Sequence, residues 1–454
     1  MGLHELLPCL AFAALPGAGG RLAEWQVAAA CAVFVVSYLV FALGKLPGMK
    51  IDRPGMAIIG AVLMVAFGVV TAGEALSFVD FDTLVLLFSM MLVVGCLHLA
   101  GFFEWIAALA VRRLKPQSLL PAIVFLTGAL SAFFVNDIIC LAMVPFALTA
   151  AKRMGLKPLP YMVAVATASN IGSVATITGN PQNILIGSYS GITYRAFLGH
   201  LGPVAAIGLV VDWLTIRWIF GKELGDDALR PDQAFPDKAF PDDAIVVPLN
   251  PEGAARGFAG ETPHVNARAL RRAGVVAALV LIGFLAGVPP AMMAAIGAAL
   301  MLVTWRGNPR LVYDEVDWGV LVFFVGLFLI VGGAENAGLT HYLFDGARRL
   351  NMQNAGVFTV VTALLSNLVS NVPAVMLLKP LAPGFHNARS GWLVLAMAST
   401  LAGNLTITGS VANLIVVERA KDEVHVGFWD YSRVGIPVTV VTLTVGWAWL
   451  SWVR

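Results

Sequence analysis

Charged side chains are scarce in this chain. Asp, Glu, Lys and Arg make up only 12% of its 454 residues, whereas 59% of the residues are hydrophobic. That composition excludes a soluble globular domain of this length. The 29 basic residues are scattered and the net charge is only +2, so the basic surface of a nucleic-acid-binding protein is excluded as well. The lipid bilayer is therefore the expected solvent and partner of the chain.

The chain also has few cysteines and no catalytic motif. Its four cysteines lie in apolar runs without pairing or Cys-x-x-Cys spacing, which argues against disulfides and structural metal sites. A catalytic set such as an HExxH motif or a catalytic aspartate pair is missing from the sequence, as is a Walker A loop, which argues against a membrane enzyme and an ATP-driven pump. We expect no enzymatic activity, no cofactor, and no metal beyond a transported or coupling Na⁺.

Apolar segments recur along almost the whole chain, and roughly 20 such residues suffice to cross about 30 Å of hydrocarbon. A shorter apolar run at 5–16 lacks the basic flank of a signal peptide, which favours an interfacial segment. The stretch 221–272 is rich in Asp, Pro, Gly and Arg and is predicted to be a solvated linker. Continuous candidate spans are residues 25–44, 55–73, 83–103, 201–220, 273–288, 290–305, 319–338 and 434–453.

Four other apolar regions are interrupted near their middle by Asn, Ser, Thr, Gly and Pro. We predict that regions 117–150 and 355–386 are helical hairpins that re-enter the membrane, and that 159–188 and 391–417 are broken transmembrane helices. This gives ten spans plus two hairpins. Basic loop residues then fall mainly on one side, which identifies that side as the cytoplasm.

An internal repeat relates the two halves of the chain. Residues Ala168–Asn183 resemble Ala398–Asn413, with matched Ala, Ser, Thr, Ile, Gly and Asn at a constant offset of 230. Val135-Asn136-Asp137 likewise matches Ser370-Asn371-Val372. Repeats in the same order indicate a duplicated unit. Because each unit holds five spans, an odd number, the second copy is expected to enter the membrane upside down, as in secondary transporters.

The predicted fold is therefore an all-α polytopic membrane protein with two inverted repeats, each containing a re-entrant helical hairpin and a broken transmembrane helix. An ion channel is the rival class, but two broken helices in inverted repeats favour alternating access. The predicted segments are 1–54 (N-terminal segment and first transmembrane helix), 55–220 (first repeat, with a cytoplasm-side hairpin at 117–150), 221–272 (cytoplasmic linker), 273–289 (connecting transmembrane helix) and 290–453 (second repeat, with an outer-side hairpin at 355–386).

The two helix breaks and the two hairpin tips are the candidate site. Non-helical backbone at membrane depth is tolerated only where protein or a water-filled cavity satisfies its amides, and the half-helix ends carry partial charges that bind ions. Gly, Ser and Thr could instead serve only close helix packing. We expect substrate and ion binding by Asn136, Asp137, Ser169, Asn170, Thr176, Thr178, Gly179, Asn180, Asn183, Ser370, Asn371, Thr406, Thr408, Gly409, Ser410 and Asn413.

Two buried carboxylates need separate interpretations. Asp137 sits at the tip of the first hairpin, where a carboxylate costs at least ~2.5 kcal/mol on insertion scales. We expect it to face the site and to hold a proton or neighbour a cation, with a structural hydrogen bond as the alternative. Asp212 is predicted to pair with Arg217 in its own helix.

At these motifs the sequence resembles the ion transporter superfamily, which includes arsenite-efflux permeases, sodium/proton antiporters of the ArsB/NhaD type and divalent-anion/sodium symporters. Gly179-Asn180-Pro181-Gln182-Asn183 is similar to the Gly-Thr-Pro-Pro-Asn loop of the symporters, and Gly409 to Asn413 is similar more loosely. Asn-Asp in the first tip and Asn-x-Pro in the second are more similar to arsenite permeases.

The resemblance implies a secondary active transporter in the bacterial inner membrane that moves a small anion or inorganic solute, coupled to a proton or sodium gradient. A sodium-coupled di- or tricarboxylate symporter and a sodium/proton antiporter stay open as alternatives. A small ion is the expected ligand, and a homodimer is an open expectation.

Overall fold

The computed structural model describes residues 22–45, 50–103, 105–106, 115–225 and 267–453. The predicted interfacial segment 5–16 and most of the predicted linker 221–272 lie outside these residues. The described residues form α-helices and short 3₁₀ turns, with one isolated β-bridge between Lys45 and Asp52. The predicted all-α class is therefore confirmed, while the five-segment division of the chain stays a prediction.

The first half of the chain runs from an N-terminal helix to a long helix that ends before the linker. Its helices are α1 (Glu24–Leu43), α2 (Arg53–Ala66), α3 (Ala72–Phe78), α4 (Phe81–Leu99), α5 (Leu119–Phe133), α6 (Asn136–Arg153), α7 (Leu159–Ser173), α8 (Pro181–Ser190), α9 (Tyr194–Ile219) and α10 (Gly221–Gly225). A 3₁₀ turn at Ile177–Gly179 separates α7 from α8.

The second half repeats this order after the connecting helix α11 (Ala267–Ala286). Its helices are α12 (Pro290–Thr304), α13 (Pro309–Asp314), α14 (Trp318–Asn336), α15 (Leu339–Arg349), α16 (Ala355–Val369), α17 (Asn371–Leu378), α18 (Ala388–Leu401), α19 (Val411–Ala420) and α20 (Phe428–Trp452). A 3₁₀ turn at Ile407–Gly409 precedes α19 as its counterpart precedes α8. The element order thus agrees with the duplication inferred from the sequence.

Seven helices among the described residues are long and apolar enough to cross a membrane. Six of them match predicted continuous spans, and the seventh is the first hairpin arm with its preceding 3₁₀ turn, Pro116–Phe133. The predicted spans at 55–73 and 290–305 are the shorter helices α2 and α12, of 14 and 15 residues. At 1.5 Å per residue these helices are only about 21 to 23 Å long, so neither alone covers the hydrocarbon core.

Large apolar side chains lie exposed on long and short helices alike. Trp218 is 83% exposed, Val303 81% and Trp452 79%. Such exposure is unfavourable in water but favourable against lipid tails. Together with the seven candidate spans, it shows a multi-pass membrane protein.

Contacts divide the chain into two units. The first unit contains residues 1–80 and 319–347, and its described part comprises α1, α2, α3 and most of α14 and α15. Phe41 and Phe323 make an edge-to-face contact at 5.2 Å between ring centroids. A Cβ atom added to Gly326 of α14 would lie 2.5 Å from the Ala57 carbonyl oxygen of α2, so these two helices touch through their backbones.

The second unit contains residues 81–318 and 348–454, and it holds both hairpins and both broken helices. In this unit α12 packs on α4. These two helices are the repeat counterparts of α2 and α14, which pack together in the first unit. Each unit therefore pairs a helix of the first repeat with a helix of the second: α2 with α14 in the first unit, and α4 with α12 in the second.

Each hairpin consists of two helices joined by a very short tip. Phe134 and Val135 connect α5 to α6, and Ser370 alone connects α16 to α17. Ser370 adopts φ 78° and ψ 159°, a conformation that costs a non-glycine residue about 1 to 3 kcal/mol. The first arm α5 lies directly on α7, because a Cβ atom on Gly172 would come within 2.0 Å of the Gly128 carbonyl oxygen.

Candidate functional site

The two helix breaks have nearly the same backbone. Thr176 has φ −136° and ψ 165°, and Thr406, 230 positions later, has φ −137° and ψ 162°. Asn180 and Ser410 then cap the second half-helices, each accepting a hydrogen bond from a backbone amide. Pro181 begins α8, where its missing N–H costs nothing. The predicted breaks are therefore present as non-helical segments.

In each break, an asparagine at the same repeat position satisfies the freed carbonyl groups. Asn183 Nδ2 donates to the carbonyl oxygens of Ser173 (3.1 Å) and Thr176 (3.0 Å). Asn413 Nδ2 donates to those of Gly403 (2.7 Å) and Thr406 (3.1 Å). Buried carbonyl groups without partners would be costly. These two asparagines therefore maintain the breaks.

Each break also requires a glycine, four residues before its asparagine. A Cβ atom at Gly179 would lie 2.1 Å from the Ser173 carbonyl oxygen, and one at Gly409 would lie 2.9 Å from the Gly403 carbonyl oxygen. Both values are below normal contact distance. The chain therefore folds back on itself at each break more closely than any side chain permits.

Two hydrogen bonds connect the breaks to each other reciprocally. Asn170 Nδ2 in α7 donates to Asn413 Oδ1 (2.9 Å). At the counterpart positions, Thr400 Oγ1 in α18 donates to Asn183 Oδ1 (3.3 Å). A residue of the first copy thus binds a residue of the second, and the counterparts of these two residues bind each other in the opposite sense. Such exchanged contacts are what a two-fold relation between the copies produces.

A second reciprocal pair involves the helix caps. Ser410 Oγ donates to Asn170 Oδ1 (2.9 Å), and Asn180 Nδ2 donates to Thr400 Oγ1 (3.3 Å). All these side chains are buried. The two breaks therefore form one polar junction, which we call the amide cluster: Asn136, Asn170, Asn180, Gln182, Asn183, Asn371, Thr400, Asn404, Ser410 and Asn413.

Both hairpin tips reach the amide cluster. Asn136 Nδ2 donates to Asn170 Oδ1 (3.1 Å). In the amide orientation that satisfies its neighbours, Asn371 donates to the Ser399 carbonyl oxygen (3.2 Å) and accepts from Gln182 Nε2 (3.3 Å). Gln182 Nε2 also lies 3.3 Å from Thr400 Oγ1. The sequence prediction that tips and breaks come together agrees with this geometry.

Asn136 has spare hydrogen-bonding capacity. It is 3% exposed, and its Oδ1 atom is buried without a hydrogen-bond partner among the described residues. The side-chain oxygens of the other asparagines in the cluster each accept at least one hydrogen bond. α6, α8, α17 and α19 also begin at this cluster, and helix N-termini favour electronegative ligand atoms.

Several predicted residues hydrogen-bond to residues of the hairpins rather than to the cluster. Thr176 donates to the Ala132 carbonyl oxygen, and Thr178 Oγ1 lies 3.3 Å from that of Phe133 and 3.0 Å from the Tyr194 hydroxyl. Thr406 Oγ1 donates to Asn367 Oδ1 at 3.3 Å.

Three other predicted residues form no hydrogen bond with the cluster side chains among the described residues. Within the described part of the chain, the Thr408 hydroxyl hydrogen-bonds to that of Thr406 (3.3 Å) and to no other side chain. Ser169 accepts from Cys140 Sγ (3.1 Å). Ser370 forms the second hairpin tip.

Asp137, unlike Asn136, makes no hydrogen bond to the described side chains of the amide cluster. Its side chain is half-buried and forms no hydrogen bond within the ranges that the structure describes, although it interacts with the like charge of Asp317. Asn136 and Asp137 are adjacent in α6, so their side chains leave the helix about 100° apart. Only Asn136 is hydrogen-bonded to the cluster.

Sequence reasoning missed three members of the amide cluster. Asn404 accepts from Asn170 Nδ2 (2.9 Å) and donates to the Thr167 carbonyl oxygen (3.1 Å). Thr400 and Gln182 were also absent from the expected set. The internal repeat could have predicted Thr400, because Thr400 occupies the position 230 residues after Asn170.

Comparison with known proteins places the chain among transporters. The family model described as citrate transporter matches residues 38–402. A silicon efflux transporter of Oryza sativa subsp. japonica is 31% identical over 465 residues, covering 91% of this chain and 95% of that protein. A transporter of Dictyostelium discoideum named arsB is 26% identical, covering 92% and 91%.

A solved structure shares the fold. The YdaH transporter of Alcanivorax borkumensis, whose crystal structure is described as having an unusual topology, matches with a TM-score of 0.52 over 94% of this chain and 97% of that one, at 16% identity. The family match covers most of the chain, and the rice relative covers nearly its full length. The chain is therefore a membrane transporter of the citrate transporter family, within the ion transporter superfamily that its motifs resemble.

Proposed function

We propose that the protein is a secondary active transporter that moves a small anion or an inorganic solute related to arsenite across the bacterial inner membrane, driven by a proton or sodium gradient. The observation that carries the proposal is the amide cluster, where both helix breaks and both hairpin tips meet and where Asn136 Oδ1 has no partner among the described residues. Inverted orientation of the two repeats would let such a junction face either side in turn.

The chemistry of the cluster suits a small hydroxylated solute. Amide and hydroxyl groups both donate and accept hydrogen bonds, so they match a ligand whose own hydroxyl groups do the same. The names of the rice and Dictyostelium relatives, a silicon efflux transporter and arsB, support an inorganic solute of this kind.

A sodium-coupled di- or tricarboxylate symporter is the second candidate, because the matching family is described as citrate transporter. Carboxylates are usually bound by charge-assisted bonds from Arg or Lys. In the part of the chain that the structure describes, no Arg or Lys side chain hydrogen-bonds to the amide cluster. We therefore place the small inorganic solute first.

Flux into proteoliposomes tests the proposal. Purified protein would be offered arsenite, silicic acid, citrate and sodium in turn, each with and without a pH or sodium gradient. We expect gradient-driven movement of arsenite or silicic acid. Citrate flux that needs sodium would favour the second candidate, and proton-driven sodium flux alone would indicate the antiporter.

A matched pair of variants connects the flux to the site. Asn136→Ala removes the amide with the unpartnered oxygen and should weaken binding of the transported solute, seen as a raised KM. Gln353→Ala removes an exposed amide outside the cluster and should leave KM unchanged. Equal KM values for Asn136→Ala and wild type would contradict the assignment of the solute to the cluster.

A further inference from the structure

Asp212 is a buried carboxylate outside the amide cluster. It lies in α9, is 0% exposed, and neither of its carboxylate oxygens has a hydrogen-bond partner among the described residues. The Thr167 hydroxyl of α7 lies beside it but donates to the Val163 carbonyl oxygen (2.9 Å). The predicted pair with Arg217 is wrong, because Arg217 is exposed and forms no ion pair with Asp212.

Tyr431 is a neighbour of both Asp212 and Asn413, a member of the amide cluster. It belongs to α20, which packs on α9, and its buried hydroxyl has no hydrogen-bond partner within the described ranges. Tyr431 interacts electrostatically with Asp212 and with Cys140 of α6, and its hydroxyl lies beside the Asn413 side chain. The order Asp212, Tyr431, Asn413 therefore leads from the buried carboxylate to the solute site.

Among the residues that the structure describes, no Lys, Arg or His side chain forms an ion pair with Asp212. The groups that face it are the uncharged Thr167 of α7 and the Tyr431 phenol of α20, with the Cys140 thiol beyond Tyr431. An ionised carboxylate that lacks both a cation and a hydrogen-bond donor is strongly disfavoured inside a protein. Protonation removes the charge and creates a donor for a neighbouring oxygen. A metal cation would need several oxygen ligands at once, whereas a proton needs only the carboxylate itself.

We infer that Asp212 is a proton-binding site of this transporter, and that its occupancy is communicated to the amide cluster through Tyr431. The carboxylate binds one H⁺ from water on one side of the membrane and releases it as H⁺ on the other. Only an O–H bond forms and breaks. This inference rests on the proposed function, because a bound proton couples to transport only if the two repeats alternate access.

Infrared difference spectroscopy on protein in lipid nanodiscs tests proton binding without any substrate. At a pH where exposed carboxylates are ionised, the wild type should show the C=O band of a protonated carboxylic acid. The band should be lost in Asp212→Asn and retained in Glu335→Gln, a half-buried carboxylate of α14. The comparison is repeated in an Asp137→Asn background, because Asp137 is the other carboxylate expected to bind a proton. A band that persists in the Asp137→Asn, Asp212→Asn double variant, or is absent from Asp137→Asn alone, overturns the inference.

Transport assays then separate coupling from folding. Asp212→Asn should lose accumulation driven by a pH gradient, while exchange of labelled for unlabelled solute continues, because exchange needs no net proton movement. Glu335→Gln should retain both activities. Loss of sodium dependence with retained pH dependence would overturn the proton assignment. If the wild type moves no solute of the panel, the proposed function fails, whereas the infrared band still decides whether Asp212 holds a proton.

Discussion

Single residues of the amide cluster divide into two kinds. The side-chain amides of Asn183 and Asn413 donate to carbonyl groups of the breaks. Loss of either asparagine would therefore leave buried acceptors unpaired. Asn136 makes one hydrogen bond to the cluster and keeps a free oxygen. We therefore expect substitutions at Asn183 or Asn413 to reduce folding, and substitutions at Asn136 to reduce affinity.

Asp137→Asn tests whether the tip carboxylate couples transport to a gradient. Two carboxylates that repel each other, Asp137 and Asp317, are stabilised when one binds a proton or a cation. We expect the variant to insert and to bind solute but to lose gradient-driven accumulation in proteoliposomes, since an amide cannot titrate. Asp345→Asn, at an exposed position, should transport normally. Unchanged pH and sodium dependence in Asp137→Asn would leave only the structural interpretation.

The surroundings of two acidic residues could not be predicted from the sequence alone. The sequence shows that Asn136 and Asp137 are polar residues at membrane depth. Which of these two adjacent side chains contacts another helix depends on the rotation of α6 about its axis. For Asp212, residues five apart lie about 140° apart around a helix, so Arg217 is on another face. A spacing of three or four is what brings side chains together.

Close packing of the first hairpin on α7 gives a prediction at the scale of the elements. Gly172→Ala should place a methyl group 2.0 Å from the Gly128 carbonyl oxygen, and such overpacking typically costs about 1 to 3 kcal/mol. Gly199→Ala is the matched control, because no atom lies within 4 Å of its added Cβ and alanine favours helix. Thermal unfolding in detergent should show a lower Tm only for Gly172→Ala. Equal Tm values would mean that the hairpin separates easily from α7.

The broken helices were the elements best predicted from the sequence. Asn, Pro and Gly within an apolar run have few uses except to interrupt a helix, and the offset of 230 located both interruptions. Gln182 and Asn404 were missed because each has a side chain that could equally face lipid, a neighbour or the site. Only the packing of α7 against α19 and of α18 against α8 decides between these.

At the scale of the whole molecule, the inverted orientation of the repeats stays a prediction that cysteine labelling can test. In a background without the native cysteines, Lys157→Cys and His386→Cys place single thiols just before α7 and just before α18. Because these helices are repeat counterparts, a membrane-impermeant reagent should label them from opposite faces. Labelling of both from the cytoplasm would contradict inversion.

The exchange of helices between the two units could not be predicted. Sequence order places α2 and α4 in one repeat, and α12 and α14 in the other. In the structure α2 packs on α14, and α12 packs on α4. Hydrophobic pattern locates each helix and says little about its partner, because lipid-facing and helix-facing surfaces are both apolar. A homodimer likewise stays a prediction.

The reciprocal hydrogen bonds also bear on how such a protein evolves. If the copies exchange roles as access alternates, identical copies would make the two conformers equal in energy, with neither preferred at rest. Asn170 in one copy stands where the other has Thr400, and their bonds to the opposite break differ, at 2.9 and 3.3 Å. We expect such mismatches between the copies, rather than their shared residues, to set which side the unloaded protein faces.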